Sequence, residues 1–165
     1  LGSVSVEGAG RVIINNGAVI NTDFGGYGIS AVTDAGDGVQ VVNNGSILAF
    51  GTRGSGVGLA GNGHQFQNAG SVIAADPEYG VGVAIAGNDA MATNTGSILA
   101  ANLAFDVEGD DNTVVNFDAG IIRGAYGDAS HQFALHFEGI GNRFANAGLV
   151  TAGYDADGEV AGGNT

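Results

Sequence analysis

Residues 43–51 read NNGSILAFG (Asn43 to Gly51), and the phrase returns almost letter for letter as QNAGSVIAA at 67–75 and TNTGSILAA at 93–101. Each copy sets an asparagine two residues before a glycine and a β-branched residue two after it. Taken along the chain, the marker glycines are Gly17, Gly45, Gly70, Gly96, Gly120 and Gly148, at spacings of 28, 25, 26, 24 and 28. A period of this length is the signature of a solenoid, in which one supersecondary unit cannot bury its own apolar face and does so by stacking on the next. A second marker keeps step with the first. Gly8, Gly36, Gly61, Gly87, Gly109 and Gly139 each lie seven residues before Asn15, Asn43, Asn68, Asn94, Asn116 and Asn146.

Between the markers, apolar residues alternate with a period of two, which reads as short strands and not as helix. A first strand carries Val4/Val6, Val57/Leu59, Val83/Ile85, Phe105/Val107 and Leu135/Phe137 ahead of its glycine. A second strand places Ile13, Val41, Phe66, Ala92, Val114 and Phe144 two residues before the asparagine. A third places Val19, Ile47, Val72, Ile98, Ile122 and Val150 two after the turn glycine, all of them β-branched as a stacked strand position favours. Strands this short that recur once per repeat pair with their equivalents one repeat on. The expected fold is therefore all-β, a parallel β-helix (β-solenoid) of about six coils with three short strands per coil, about 4.8 Å from coil to coil. Residues 1–165 read as one β-solenoid domain, a segment of a longer repeat array or a stacking subunit. The six asparagines should form a structural ladder bonded from coil to coil, with the neighbouring glycines at positive φ.

Two places depart from the pattern. Asn116-Phe117-Asp118-Ala119-Gly120 holds two more residues than the usual Asn-x-Gly, which predicts a bulged corner. In the second repeat, counting back from Gly36 puts Asp34 at a position apolar in the other repeats, which predicts a local slip of register. The links between third and first strands (22–31, 50–56, 75–82, 101–104 and 125–134) vary in length. With Tyr27, Phe50, Tyr79 and Tyr126, they form the most variable surface for recognition.

Composition narrows the chemistry. Seventeen acids against four arginines and no lysine give a net charge of −13, which repels nucleic-acid phosphates and anionic lipid. The absence of cysteine and lysine removes disulfides, thiol catalysis and Schiff bases. No apolar run reaches the length of a membrane span, so this segment is not expected to insert in a membrane. The strongest acidic constellation is on the outward side of the first strand in repeats five and six, where Asp106 should stack beside His136 and Glu108 beside Glu138. Such a patch could hold Ca2+ as a cofactor, or serve as paired carboxylates for glycoside cleavage; the plain alternative is a solvated acidic face. Asp155, Asp157 and Glu159 form a second acidic cluster without EF-hand spacing. His64, His131 and His136 have no metal-ligand spacing, Ser130-His131 gives no catalytic triad, and Gly54, Gly56 and Gly58 read as a turn. On the outward side of the third strand, Ile20, Leu48, Ile73 and Leu99 line up as an apolar ridge, a surface for lateral contact.

The N-x-G-[ST]-[IV]-x-A phrase, preceded by VGLAGN (57–62) and VAIAGN (83–88), resembles the repeats of bacterial autotransporter passengers and related large repetitive exoproteins. The resemblance implies a right-handed β-helix, secreted from or displayed on a Gram-negative cell and used for adhesion, matrix building or as a stalk. The expected function is a non-enzymatic structural or adhesive segment at the cell surface. Its expected partners are a second copy, head-to-tail or lateral, or a surface glycan or protein. The chain opens on one first strand (Val4 to Gly8) and closes after another (Val160, Gly162), so its ends are in similar phase for stacking into a fibre. Alternatives are a polysaccharide-active β-helix enzyme, disfavoured by the lack of lysine, and a calcium-stabilised matrix protein.

Overall fold

The alternating residues build six coils in a computed structural model that describes residues 4–33, 38–76, 78–126 and 133–154. Coil one runs through Val4–Glu7, Val12–Asn15 and Ala18–Asn21, and coil two through Tyr27–Val32, Gln40–Asn43 and Ser46–Ala49. Coil three is Ser55–Ala60, Gln65–Asn68 and Ser71–Ala74; coil four is Val81–Ala86, Met91–Asn94 and Ser97–Ala100. Coil five is Leu103–Glu108, Thr113–Asn116 and Ile121–Tyr126, and coil six Leu135–Glu138, Arg143–Asn146 and Leu149–Tyr154. Like strands pair in parallel with the coil before and after, giving three six-stranded sheets around one core. The chain is a right-handed parallel β-solenoid.

The register is residue on residue. In the third sheet Val19, Ile47, Val72, Ile98, Ile122 and Val150 follow one another, and the four in coils two to five have no exposed surface. The second sheet stacks Ile13, Val41, Phe66, Ala92, Val114 and Phe144 likewise. Burial of these columns supplies the driving force, each full side chain contributing about 1.5–3 kcal/mol. Toward coil six the cover thins, and Phe144 packs its ring 6.4 Å from that of Phe137 while staying partly exposed.

The turn glycines are needed for a reason other than the positive φ expected of them. Gly45, Gly70 and Gly96 have ordinary backbone angles, yet a Cβ on each would drive into the carbonyl oxygen of Gly17, Gly45 and Gly70 respectively, one coil below. The corner closes only where two backbones touch. Positive φ belongs instead to the first-strand markers, with Gly61, Gly109 and Gly139 at 116–117°.

Two further expectations are corrected. In coil two the first strand ends at Val32, paired with Ala60, and Thr33 stands where Gly61 stands in the next coil, donating its N–H to Ala60 O at 2.9 Å. The inward pair is thus Ile29 and Ala31, and Thr33 holds the marker place in this coil; Asp34 and Gly36 lie outside the described residues. Gly56 and Gly58 are in a strand and not in a turn. A Cβ on Gly56 would strike Val72, and one on Gly58 the ring of Tyr27, so both are glycine because neighbours occupy the space. The extra residues of 117–119 do bulge the corner of coil five, where the Gly120 N–H donates back to Phe117 O at 2.7 Å and Ile121 resumes the stack on Ser97.

Candidate functional site

The asparagine ladder runs along one corner of the rod. Asn15 donates through Nδ2 to Asn43 Oδ1 at 2.8 Å, Asn43 to Asn68 at 2.8 Å, Asn68 to Asn94 at 2.7 Å, and Asn94 to Asn116 and Asn116 to Asn146 at 2.8 Å. Each Nδ2 in coils one to five also reaches a backbone carbonyl on the next coil, such as Asn68 to Ser97 O at 3.2 Å. A buried amide needs this full pairing, and a chain of aligned amides polarises its members.

Two more ladders went unread in the sequence. Asn62, Asn88 and Asp110, each directly after a positive-φ glycine, accept the backbone N–H of Asn88, Asp110 and Ile140 at 2.7–2.9 Å. Two residues further on, Asn112 Oδ1 accepts from Ala90 N–H, and Asn142 Oδ1 from Asn112 N–H, each at 2.9 Å. His64 does the same work in coil three. Fully buried, it accepts the Val39 N–H at Nδ1 (3.1 Å), which fixes the proton on Nε2, where Ala60 O receives it at 3.0 Å. The signal for these ladders was the Gly-Asn and Gly-Asp pairs and the polar residue two beyond.

Asp106 and His136 are register partners, as are Glu108 and Glu138. His136 Nδ1 stands 2.9 Å from Asp106 Oδ1, on an exposed face, so the imidazole takes up one of the carboxylate oxygens. Among the described residues no group of three or more His, Cys, Asp or Glu is close enough to hold a metal ion. His131 and the cluster of Asp155, Asp157 and Glu159 lie outside the described residues.

On the outer face of the third sheet, Ile20, Leu48, Ile73 and Leu99 stack in one column and are partly exposed. Beside them runs a serine column, with Ser71 Oγ donating to Ser46 Oγ at 3.2 Å. Ile73, Leu99 and the adjoining alanines 74, 75, 100 and 101 line a depression of about 440 Å3 together with Arg123, the register partner of Leu99. Among the described residues no Asp or Glu lies on a strand of the second or third sheet; the described acids sit on the first sheet, at corners and in links.

At the corner between third and first sheets, links from three coils are stitched together. Phe50 N–H donates to Asn21 O and Gly25 N–H to Thr52 O, each at 2.8 Å. Arg53, at a φ of 59°, lays its guanidinium over the Tyr79 ring at 4.2 Å and the Phe24 ring at 5.9 Å. Asp76 anchors it: Oδ2 accepts the Arg53 backbone N–H at 3.0 Å, while Oδ1 accepts those of Glu78 and Tyr79 at 2.9 and 2.8 Å. Burial pushes the Asp76 carboxyl up, but the three N–H donors and the Arg53 charge together outweigh it and hold its pKa below the usual carboxylate value. Among the described residues no helix is long and apolar enough to cross a membrane. No protein-family model matches the chain, and no curated protein or solved structure is significantly similar to it.

Proposed function

We propose that this chain is a non-enzymatic structural and adhesive β-solenoid segment of a secreted or surface-displayed bacterial protein, and that two copies associate side by side through the outer faces of their third sheets. The observation that carries this reading is the column of Ile20, Leu48, Ile73 and Leu99, an apolar ridge on a face whose strands carry no carboxylate among the described residues, in a chain of net charge −13. Copies of such a chain repel one another over most of their surface, and this face lets them approach with no carboxylate opposed to another. Because the ridge repeats at the strand spacing, it offers a matching ridge to a second copy at many registers, which suits a matrix or bundle better than a single fixed dimer. The bacterial and extracellular setting rests on the likeness of the repeats to autotransporter passengers.

Sedimentation velocity over a range of protein concentrations tests the association. The wild-type sedimentation coefficient is expected to rise with concentration, and Leu48→Glu combined with Leu99→Glu to abolish the rise, weakening association at least tenfold. Both positions point outward, so the folded monomer is expected to survive, as circular dichroism will show. A wild-type coefficient that stays monomeric at millimolar concentration contradicts the proposal.

A further inference from the structure

We infer that the Arg53 corner binds the carboxylate of an acidic sugar, a uronate within a short oligosaccharide. Arg53 is exposed, and its guanidinium is layered against two rings, Phe24 on the link of coil one and Tyr79 on the link of coil three. The Tyr79 ring covers the guanidinium at 4.2 Å, with Phe24 farther off at 5.9 Å, and contact of this kind leaves the edge, a planar fork of N–H groups matched to a carboxylate. The fork is not spent internally. Among the described residues Arg53 makes no ion pair; Asp76 accepts three backbone N–H groups and feels the Arg53 charge without closing a salt bridge to it.

The setting favours a sugar as the bearer of that carboxylate. Phe24 is 74% exposed, Phe50 53% and Tyr79 39%, so apolar ring surface flanks the fork. A uronate carries its carboxylate directly on a ring whose C–H face packs against such surface, whereas the carboxylate of a peptide rides on a flexible stem. Preorganisation lowers the cost of binding: the corner is held by the Gly54 N–H to Gly51 O bond at 2.8 Å, by Asp76, and by the inter-coil bonds described above. The surrounding negative charge opposes long polyanions, so a short oligomer is the ligand that fits. This site is remote in kind from the third-sheet ridge, and its failure leaves the association reading untouched.

Titration with trigalacturonate, followed by amide chemical shifts, tests the inference. Saturable shifts are expected at residues 24, 53 and 79, with no response to neutral maltotriose. Arg53→Gln and Arg53→Lys are each expected to weaken binding at least tenfold, the lysine because it keeps the charge and loses the fork. Phe24→Ala should weaken it as well. Arg11→Gln, at another exposed arginine, removes the same charge and should leave binding unchanged. Thermal midpoints equal to wild type will show that the variants fold. The inference is overturned if trigalacturonate does not bind at millimolar concentration, if Arg11→Gln weakens it as much as Arg53→Gln, or if a triglutamate peptide binds equally well.

Discussion

Replacing Asn68 with aspartate is expected to destabilise the solenoid by about 3–5 kcal/mol at neutral pH, and replacing it with alanine by about 2–4 kcal/mol. Asn68 is 2% exposed and sits mid-ladder, accepting from Asn43 and donating to Asn94 Oδ1 and Ser97 O. Alanine strands those acceptors without a donor. A carboxylate does worse, because it sets a buried charge against the Asn94 oxygen and a carbonyl. The ranking inverts the usual view of Asn→Asp as conservative, and it carries a pH signature. Folding raises the pKa of a carboxyl so placed, since only the protonated form can donate. The folded state then holds its proton more tightly than the unfolded chain, so the excess penalty shrinks as pH falls into the carboxylate range. Urea titrations of wild type and both variants at matched pH values read this directly; an aspartate variant as stable as wild type at neutral pH would mean that the ladder carries little.

Gly70→Ala is expected to cost about 3 kcal/mol, whereas Gly17→Ala, at the same place in the phrase, is expected to be neutral or to stabilise by about 0.5 kcal/mol. Neither glycine has positive φ, so conformational strain does not separate them. A Cβ on Gly70 would be pressed into the Gly45 carbonyl and could be admitted only by prying two coils apart, which lengthens the hydrogen bond from Ser71 N–H to Gly45 O, now 2.8 Å. At Gly17, on coil one, no atom lies within 4 Å of the added carbon. Thermal melts of the two variants measure the contrast, and equal losses at both sites would place the cost in the backbone angle of the corner and not in the contact between coils.

The rod was legible because its grammar is local and repeated. Ile47, Val72 and Ile98 announce an inward column by their spacing alone, and the fixed distance from asparagine to glycine gives the ladder corner. What the sequence hid follows from the same repetition. Thr33 holds the marker place in coil two, and the link from Val32 to Gln40 is three residues longer than that from Ala60 to Gln65, so a fixed count back from Asn43 lands on Gly36, three residues past Thr33. Gly56 and Gly58 looked like a turn because glycine is the turn residue, yet here they make room for Val72 and Tyr27. His64 was invisible as a ladder member, since nothing in its flanks says that an imidazole Nδ1 will stand in for an asparagine oxygen. The Arg53 corner draws Phe24, Arg53 and Tyr79 from three separate links, and only coil stacking brings them within reach of one another.

The stacking of matching residues is tested most directly by cross-linking in a chain that has no cysteine of its own. Ser46 and Ser71 are register partners on the outer face of the third sheet, with hydroxyls 3.2 Å apart. Ser46→Cys with Ser71→Cys is expected to close to an intramolecular disulfide on mild oxidation, since in-register neighbours lie about 4.8 Å apart, within disulfide reach. Ser46→Cys with Ile73→Cys, two residues out of register and about 8 Å apart, is expected to stay reduced. Closure of the second pair with the first left open would contradict the register on which every surface described above depends.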